Sequence, residues 1–181
     1  MTYGVTYGEG DGPVAEYRNV GVVVAPVTDV VADTIVATLF ASKASVGATP
    51  LVISVGDAIR VTARGVYSTA AIPVTLRIEL SNATTSWLDT GAVLLAANAA
   101  DRGWCIDALF VPKSSTSTEC QGHFVYSTST KAWDAMDMEN AGAVALGILS
   151  STLNIQVTWG AADPSNSISL RQLIVERIIN G

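Results

Sequence analysis

Between Asp57 and Ser81 the chain holds two stretches that alternate apolar and polar residues. In Val74–Leu80, Val74, Leu76, Ile78 and Leu80 fall on one phase and Thr75, Arg77 and Glu79 on the other. Just upstream, Ile59, Val61 and Ala63 alternate with Arg60, Thr62 and Arg64. Side chains on a strand point to opposite faces with period two, so both stretches read as half-buried strands. A helix would smear the charges and the apolar groups around its circumference. Roughly eight residues, among them Tyr67, Ser68 and Pro73, join the two, and the simplest expectation is an antiparallel pair. One face of that pair belongs to a core, and the other is wet or meets a partner.

The same period recurs along the chain. Strands are expected at Thr34–Phe40, Ala48–Ile53, Ser86–Leu88 and Ala92–Leu95. In Gly103–Val111, Trp104, Ile106, Ala108 and Phe110 share a face, and Cys120–Ser127 returns after a polar turn at Pro112–Ser117. Thr130–Glu139 carries Trp133, Met136 and Met138, and Ala143–Ile148 is small and apolar. Leu153–Trp159 alternates cleanly, Asp163-Pro164-Ser165-Asn166 forms a turn, and Ser167–Ile178 closes the series. That last strand changes phase after Arg171 and Gln172, which calls for a β-bulge or for burial on both faces. About nine or ten strands with unequal gaps and no clear helix predict an all-β jelly-roll or Greek-key sandwich. First and last strands of such a fold commonly pair, which would set Thr34–Phe40 beside Ser167–Ile178.

Residues 1–30 read differently. Gly4, Gly8, Gly10 and Gly12 crowd the start, and Thr2-Tyr3-Gly4 recurs as Thr6-Tyr7-Gly8. Tyrosines on an adaptable glycine backbone suit an extended arm, so 1–30 is expected to be an arm and 31–181 the sandwich domain. Candidate anchoring residues of that arm are Tyr3, Tyr7, Tyr17, Val22 and Val24. The apolar run Val20–Val31, interrupted by Pro26, fits either an edge strand or a segment laid on a neighbour.

Composition supports the β reading and adds a partner. Of 181 residues, 49% are hydrophobic but only 14% charged, against about 25% in an ordinary domain. A chain this poor in charge is expected to cover part of its surface in an oligomer. Candidate interface residues are Arg60, Arg64, Arg77 and Glu79 on the wet phase, with Leu173 and Val175 on the doubly apolar last strand. A net charge of −6 without a basic stripe speaks against nucleic acid. No signal peptide is expected, and no apolar run is long enough for a membrane helix. Cys105 and Cys120 sit on what read as successive strands; a cross-strand disulfide is conceivable, but free thiols are favoured for a chain made in the cytoplasm.

Chemistry is harder to find. His123 is the one histidine, and no Gly-x-Ser-x-Gly elbow or calcium loop occurs. Acidic pairs exist, Asp101 with Asp107 and Asp134 with Asp137 and Glu139, but their plainer reading is solvated loops and edges. The expectation is a protein that is not an enzyme, with no cofactor and no metal. Trp104 and Trp159 fall on apolar phases, whereas Trp87 and Trp133 stand beside polar residues and are weak candidates for stacking on a glycan.

One further pattern is carried by whole strands. Thr49-Pro50-Leu51, Gly56-Asp57-Ala58-Ile59-Arg60-Val61, Val74-Thr75-Leu76-Arg77-Ile78-Glu79-Leu80 and the closing Ser167–Glu176 together resemble the jelly-roll domain of tailed-phage virion proteins. That group comprises capsid decoration (cement) proteins, head fibres and tail-fibre modules. The resemblance spans about 33–179 and brings no site residues with it. It implies a homotrimer on the capsid surface of a virion, fastened by its arm to the major capsid protein of a phage head. A receptor- or carbohydrate-binding module of a head or tail fibre is the alternative.

Overall fold

The computed structural model describes the strands at 16–23, 30–31 and 36–41 and residues 55–81, 86–114, 116–140 and 154–179. The expected strands at Ala48–Ile53 and Ala143–Ile148 lie outside the described residues, as do Tyr3, Tyr7 and Val24. Among the described residues there are thirteen strands and no helix. They are β1 (Glu16–Val23), β2 (Val30–Val31), β3 (Val36–Ala41), β4 (Ala58–Ser68), β5 (Val74–Ser81), β6 (Ser86–Asp89) and β7 (Val93–Leu95). There follow β8 (Arg102–Ser114), β9 (Ser117–Ser127), β10 (Trp133–Asp137), β11 (Glu139–Asn140), β12 (Asn154–Trp159) and β13 (Ser167–Ile179).

All pairings are antiparallel. The first sheet runs β1-β13-β4-β8-β9-β10, with β2 also on β13. The second runs β11-β6-β5-β12-β3, with β7 also on β5. The chain changes sheet between β2 and β3, β3 and β4, β4 and β5, β7 and β8, β10 and β11, and β12 and β13, which is the wrap of a jelly-roll sandwich.

That order corrects the opening expectation. The stretches 57–66 and 74–81 are not a hairpin, because β4 lies in the first sheet and β5 in the second. Residues 69–73 are the corner between them. Five extended residues reach about 16 Å, ample for the roughly 10 Å between packed sheets. The two apolar faces therefore meet across the core. Ile59, Val61 and Ala63 from β4 and Val74, Leu76, Ile78 and Leu80 from β5 are all buried in one cluster. Trp104, Ile106, Phe110, Phe124, Ile155, Val157 and Trp159 are among the residues that pack with them.

The pairing of the ends is corrected too. Val36–Ala41 pairs with β12, and the partner of β13 on its outer side is β1. The segment 16–23, for which edge strand and arm were both open, is laid along β13 of the same chain. The phase change in β13 is a bulge: Leu170 faces Gly65 and Gln172 faces Arg64, leaving Arg171 as the extra residue. With the bulge in place, Ile168, Leu170, Leu173 and Val175 all reach the core.

Candidate functional site

Connections gather at one end of the sandwich. The corner 69–73, the loop 96–101, the hairpin loop 128–132 and the turn 160–166 all lie where β4, β9 and β12 finish and β5, β8, β10 and β13 begin. The corner is tied to the 96–101 loop by backbone bonds from Thr69 N to Ala99 O (2.9 Å) and from Asn98 N to Ala70 O (2.7 Å). The Thr69 hydroxyl donates to Ala96 O (2.6 Å) and accepts from Ala99 N (2.9 Å). Buried Asn166, closing the 163–166 turn, accepts from Ala70 N at 2.8 Å. Within the loop, Asn98 and Asp101 adopt left-handed backbone, with φ of 54° and 48°. Asn and Asp tolerate that region best among residues with a side chain.

Three of the four exposed large apolar side chains among the described residues stand at this end: Ile72, Leu94 and Trp133. Trp133 is 60% exposed and opens β10, the outer edge of the first sheet. Its indole lies over Gly103, where a Cβ would come within 2.8 Å of Trp133 Cη2. The adjoining loop is held in place: Thr128 N donates to Ala132 O at 2.9 Å, and the Ser127 hydroxyl donates to Ser129 O at 2.6 Å. Asp134 accepts from the Tyr126 hydroxyl at 3.2 Å. Burial, then that bond, raises the Tyr126 pKa above its ordinary value.

Beside this platform is a hollow of about 320 Å³. Ser68, Asp101, Ser165, Ser167, Ser169 and Arg171 supply its polar wall. Two of these owe their position to backbone irregularity. Arg171 is the extra residue of the β13 bulge, and Asp101 is in left-handed backbone with its N–H donating to Ser68 Oγ at 3.1 Å. Ser169 is 2% exposed, and its hydroxyl has no hydrogen-bond partner among the described residues.

A second cluster, near the other end, looks like a nucleophile site. His123 Nδ1 lies 2.7 Å from Asp137 Oδ1, and both line a hollow with Cys120. The geometry does not serve that chemistry. Cys120 and His123 are three residues apart on β9, so they face opposite sides: Cys120 is buried and His123 exposed. Burial, and after it Glu119, pushes the Cys120 thiol up to about 12, far from the thiolate that a nucleophile needs. Cys105 and Cys120 are both free thiols.

The proposed site residues scatter. Trp87 is a correction: it is 2% exposed, with Phe110 edge-on at 5.7 Å and 75°. Leu88 pairs with Leu80 and Ser86 with Ser81, so Trp87 is the unpaired residue of a bulge and turns into the core. Leu173 and Val175 are likewise core residues and not a free surface. Arg60 and Arg64 lie on the outer face of the first sheet, Arg77 and Glu79 on that of the second, so the four charges share no face. Arg60 instead pairs with Asp107, and Arg77 with Asp89 and Glu79. Tyr17 and Val22 sit on β1 opposite Ile178 and Ile174. The hollow was not seen in the sequence, although the phase change at Arg171 was its one visible trace.

No family model and no curated protein matches the chain. Two solved structures that it resembles are of viral origin. One is the CBM2 module of an evolved Dit from Lactobacillus casei BL23 phage J-1, at 12% identity and a TM-score of 0.32, covering 81% of this chain and 69% of that one. The other is infectious bursal disease virus, Gx strain, at 12% identity and a TM-score of 0.30, covering 99% of this chain and 47% of that one. At these scores the likeness carries no functional argument.

Proposed function

We propose that the chain is a non-catalytic structural protein of a virion, a trimeric decoration protein that stabilises a phage head. The supporting observation is the polarity of the sandwich. Glu16 stands opposite Ile179, at the end of the first sheet remote from Trp133 and the 96–101 loop. The glycine- and tyrosine-containing residues 1–15 therefore join the sandwich at the pole opposite its loop end. In this reading one pole fastens and the other is displayed. The low charge content supports burial of surface between subunits. A subunit that binds only the assembled shell stabilises it by mass action, and three arms per trimer add avidity.

The test removes residues 1–15 and leaves β1 in place. The truncated protein should remain folded and trimeric by light scattering, and should no longer co-sediment with purified heads. Undiminished binding to heads would overturn the reading, as would a monomer in the full-length protein.

A second reading, a receptor- or carbohydrate-binding module, is favoured by Trp133. It is the one exposed tryptophan among the four, and it stands at the displayed end. Its test is binding to a glycan.

A further inference from the structure

Trp133 and the hydroxyl-lined hollow are parts of one strip. Gly103, which lies under the indole, pairs directly with Val66, and Val66 pairs directly with Ser169. All three stand on the outer phase of the first sheet, since Trp104, Tyr67, Ile168 and Leu170 beside them point into the core. Two strand spacings separate Gly103 from Ser169, about 10 Å. An aromatic platform and a polar hollow thus lie side by side across the strands, about two linked sugar rings apart.

We infer that this strip binds a neutral oligosaccharide, one pyranose ring stacking on Trp133 and the next but one seated in the hollow. The inference rests on the carbohydrate-binding reading and adds to it a second subsite and a ligand class. The indole offers a flat apolar face to the C–H face of a sugar. It is set in place by the absence of a side chain at Gly103 and by the hydrogen-bonded 128–132 loop. The hollow supplies what the hydroxyls of a sugar need. The Asp101 carboxylate accepts, the Arg171 guanidinium donates, and the serine hydroxyls do both. Arg171 makes no ion pair, and the buried Ser169 hydroxyl no hydrogen bond, with any described residue. A buried polar group without a partner is costly, and a ligand hydroxyl would satisfy it. One carboxylate and one guanidinium leave the hollow without net charge, which selects against a polyanion. Left-handed Asp101 and the bulge at Arg171 are the kind of local irregularity that gathers at binding sites.

The test is an array of neutral di- to tetrasaccharides built from hexose and N-acetylhexosamine units, with uronic-acid counterparts beside them. The best neutral saccharide is then titrated by NMR against full-length protein. Trp133→Ala should weaken it at least tenfold, and Arg171→Gln and Ser169→Ala each at least threefold, with unchanged thermal midpoints. Gly103→Ala, which displaces the indole without removing it, should also weaken binding. Loss in Trp133→Ala with full affinity in Arg171→Gln and Ser169→Ala would overturn the strip and leave the carbohydrate-binding reading standing. Preference for the uronic-acid series would overturn the ligand class. Failure of the wild-type protein to bind any arrayed saccharide at millimolar concentration would overturn the strip together with that reading. The decoration proposal would then stand or fall on its own truncation test.

Discussion

Gly65 is the position at which one added carbon should cost most. It lies on β4 between β13 and β8, opposite Leu170 and Trp104. A Cβ there would overlap the Ser169 carbonyl oxygen and lie 2.7 Å from Trp104 Nε1. The first neighbour is backbone and the second a buried indole, so neither can swing aside. Overpacking costs about 1–3 kcal/mol, and this site belongs at the top of that range. Parting β13 from β4 would weaken one or two ladder bonds, at about 1 kcal/mol each. The smaller entropy of an unfolded alanine returns about 0.4–1 kcal/mol. The net expectation for Gly65→Ala is a loss of about 3 kcal/mol, or a thermal midpoint lower by about 10 °C in a protein of this size. Two other glycines calibrate the experiment. At Gly122 the clash is with Leu88 Cδ1 (2.9 Å) and Met138 Sδ (3.2 Å), the ends of flexible side chains, so the loss should stay within about 1 kcal/mol. At Gly103 the neighbour is the exposed Trp133 ring, so stability should barely change while the indole moves. Urea denaturation followed by far-ultraviolet circular dichroism measures all three. A Gly65→Ala loss below about 1 kcal/mol, or a larger loss at Gly122, would refute the packing described for β4 and β13.

Three further outcomes are expected. The Cys120 thiol is raised from its ordinary 9.0 to about 12, so the folded state holds that proton longer than the unfolded chain does. Its contribution is constant below pH 9 and is lost at about 1.4 kcal/mol per pH unit as pH climbs toward 12. Cys120→Ala should flatten the fall in urea midpoint between about pH 8 and pH 10.5; an unchanged slope would count against the burial. Buried Asp57 accepts from Arg177 Nη2 at 2.6 Å and Nε at 3.1 Å, binding the start of β4 to the end of β13. Asp57→Ala should cost about 2 kcal/mol by the same denaturation, and a loss under about 0.5 kcal/mol would rule the pair out as a fastening. Trp87, Trp104 and Trp159 are buried, so Trp133→Phe should remove nearly all acrylamide-quenchable fluorescence; strong residual quenching would show another indole in solvent.

Period-two patterning was a sound guide to which residues face inward. Val74, Leu76, Ile78 and Leu80 are buried as their phase requires, and so are Trp104, Ile106, Ala108 and Phe110. The phase change at Arg171 was legible, since a slip of one residue flips every later side chain, but the pattern left a bulge and burial on both faces equally open, and the register shows the bulge. What alternation cannot tell is which strand a strand pairs with. A five-residue link serves a hairpin and a corner between sheets equally well, and β4 and β5 took the second course. Trp87 was misplaced for a related reason: a four-residue strand is too short to show a phase, and a bulge then turned its indole inward. The hollow was hidden because it joins residues of β4 and β13 to loop residues distant in sequence, among them Asp101, whose left-handed conformation no residue pattern announces.

The position of β13 has a kinetic consequence. It lies inside the first sheet, between β1 and β4, and its partner residues on β4 stand about a hundred positions upstream. Until residues 167–179 have been synthesised, β4 lacks one neighbour and β1 has none in its sheet. The nascent chain must therefore keep finished but unpaired strands apart while translation continues, and long-range pairing of this kind is slow and exposed to aggregation. The first sheet can be completed only after β13 enters between two strands that were made long before it. The order of synthesis thus sets a delay on when the folded sandwich becomes available.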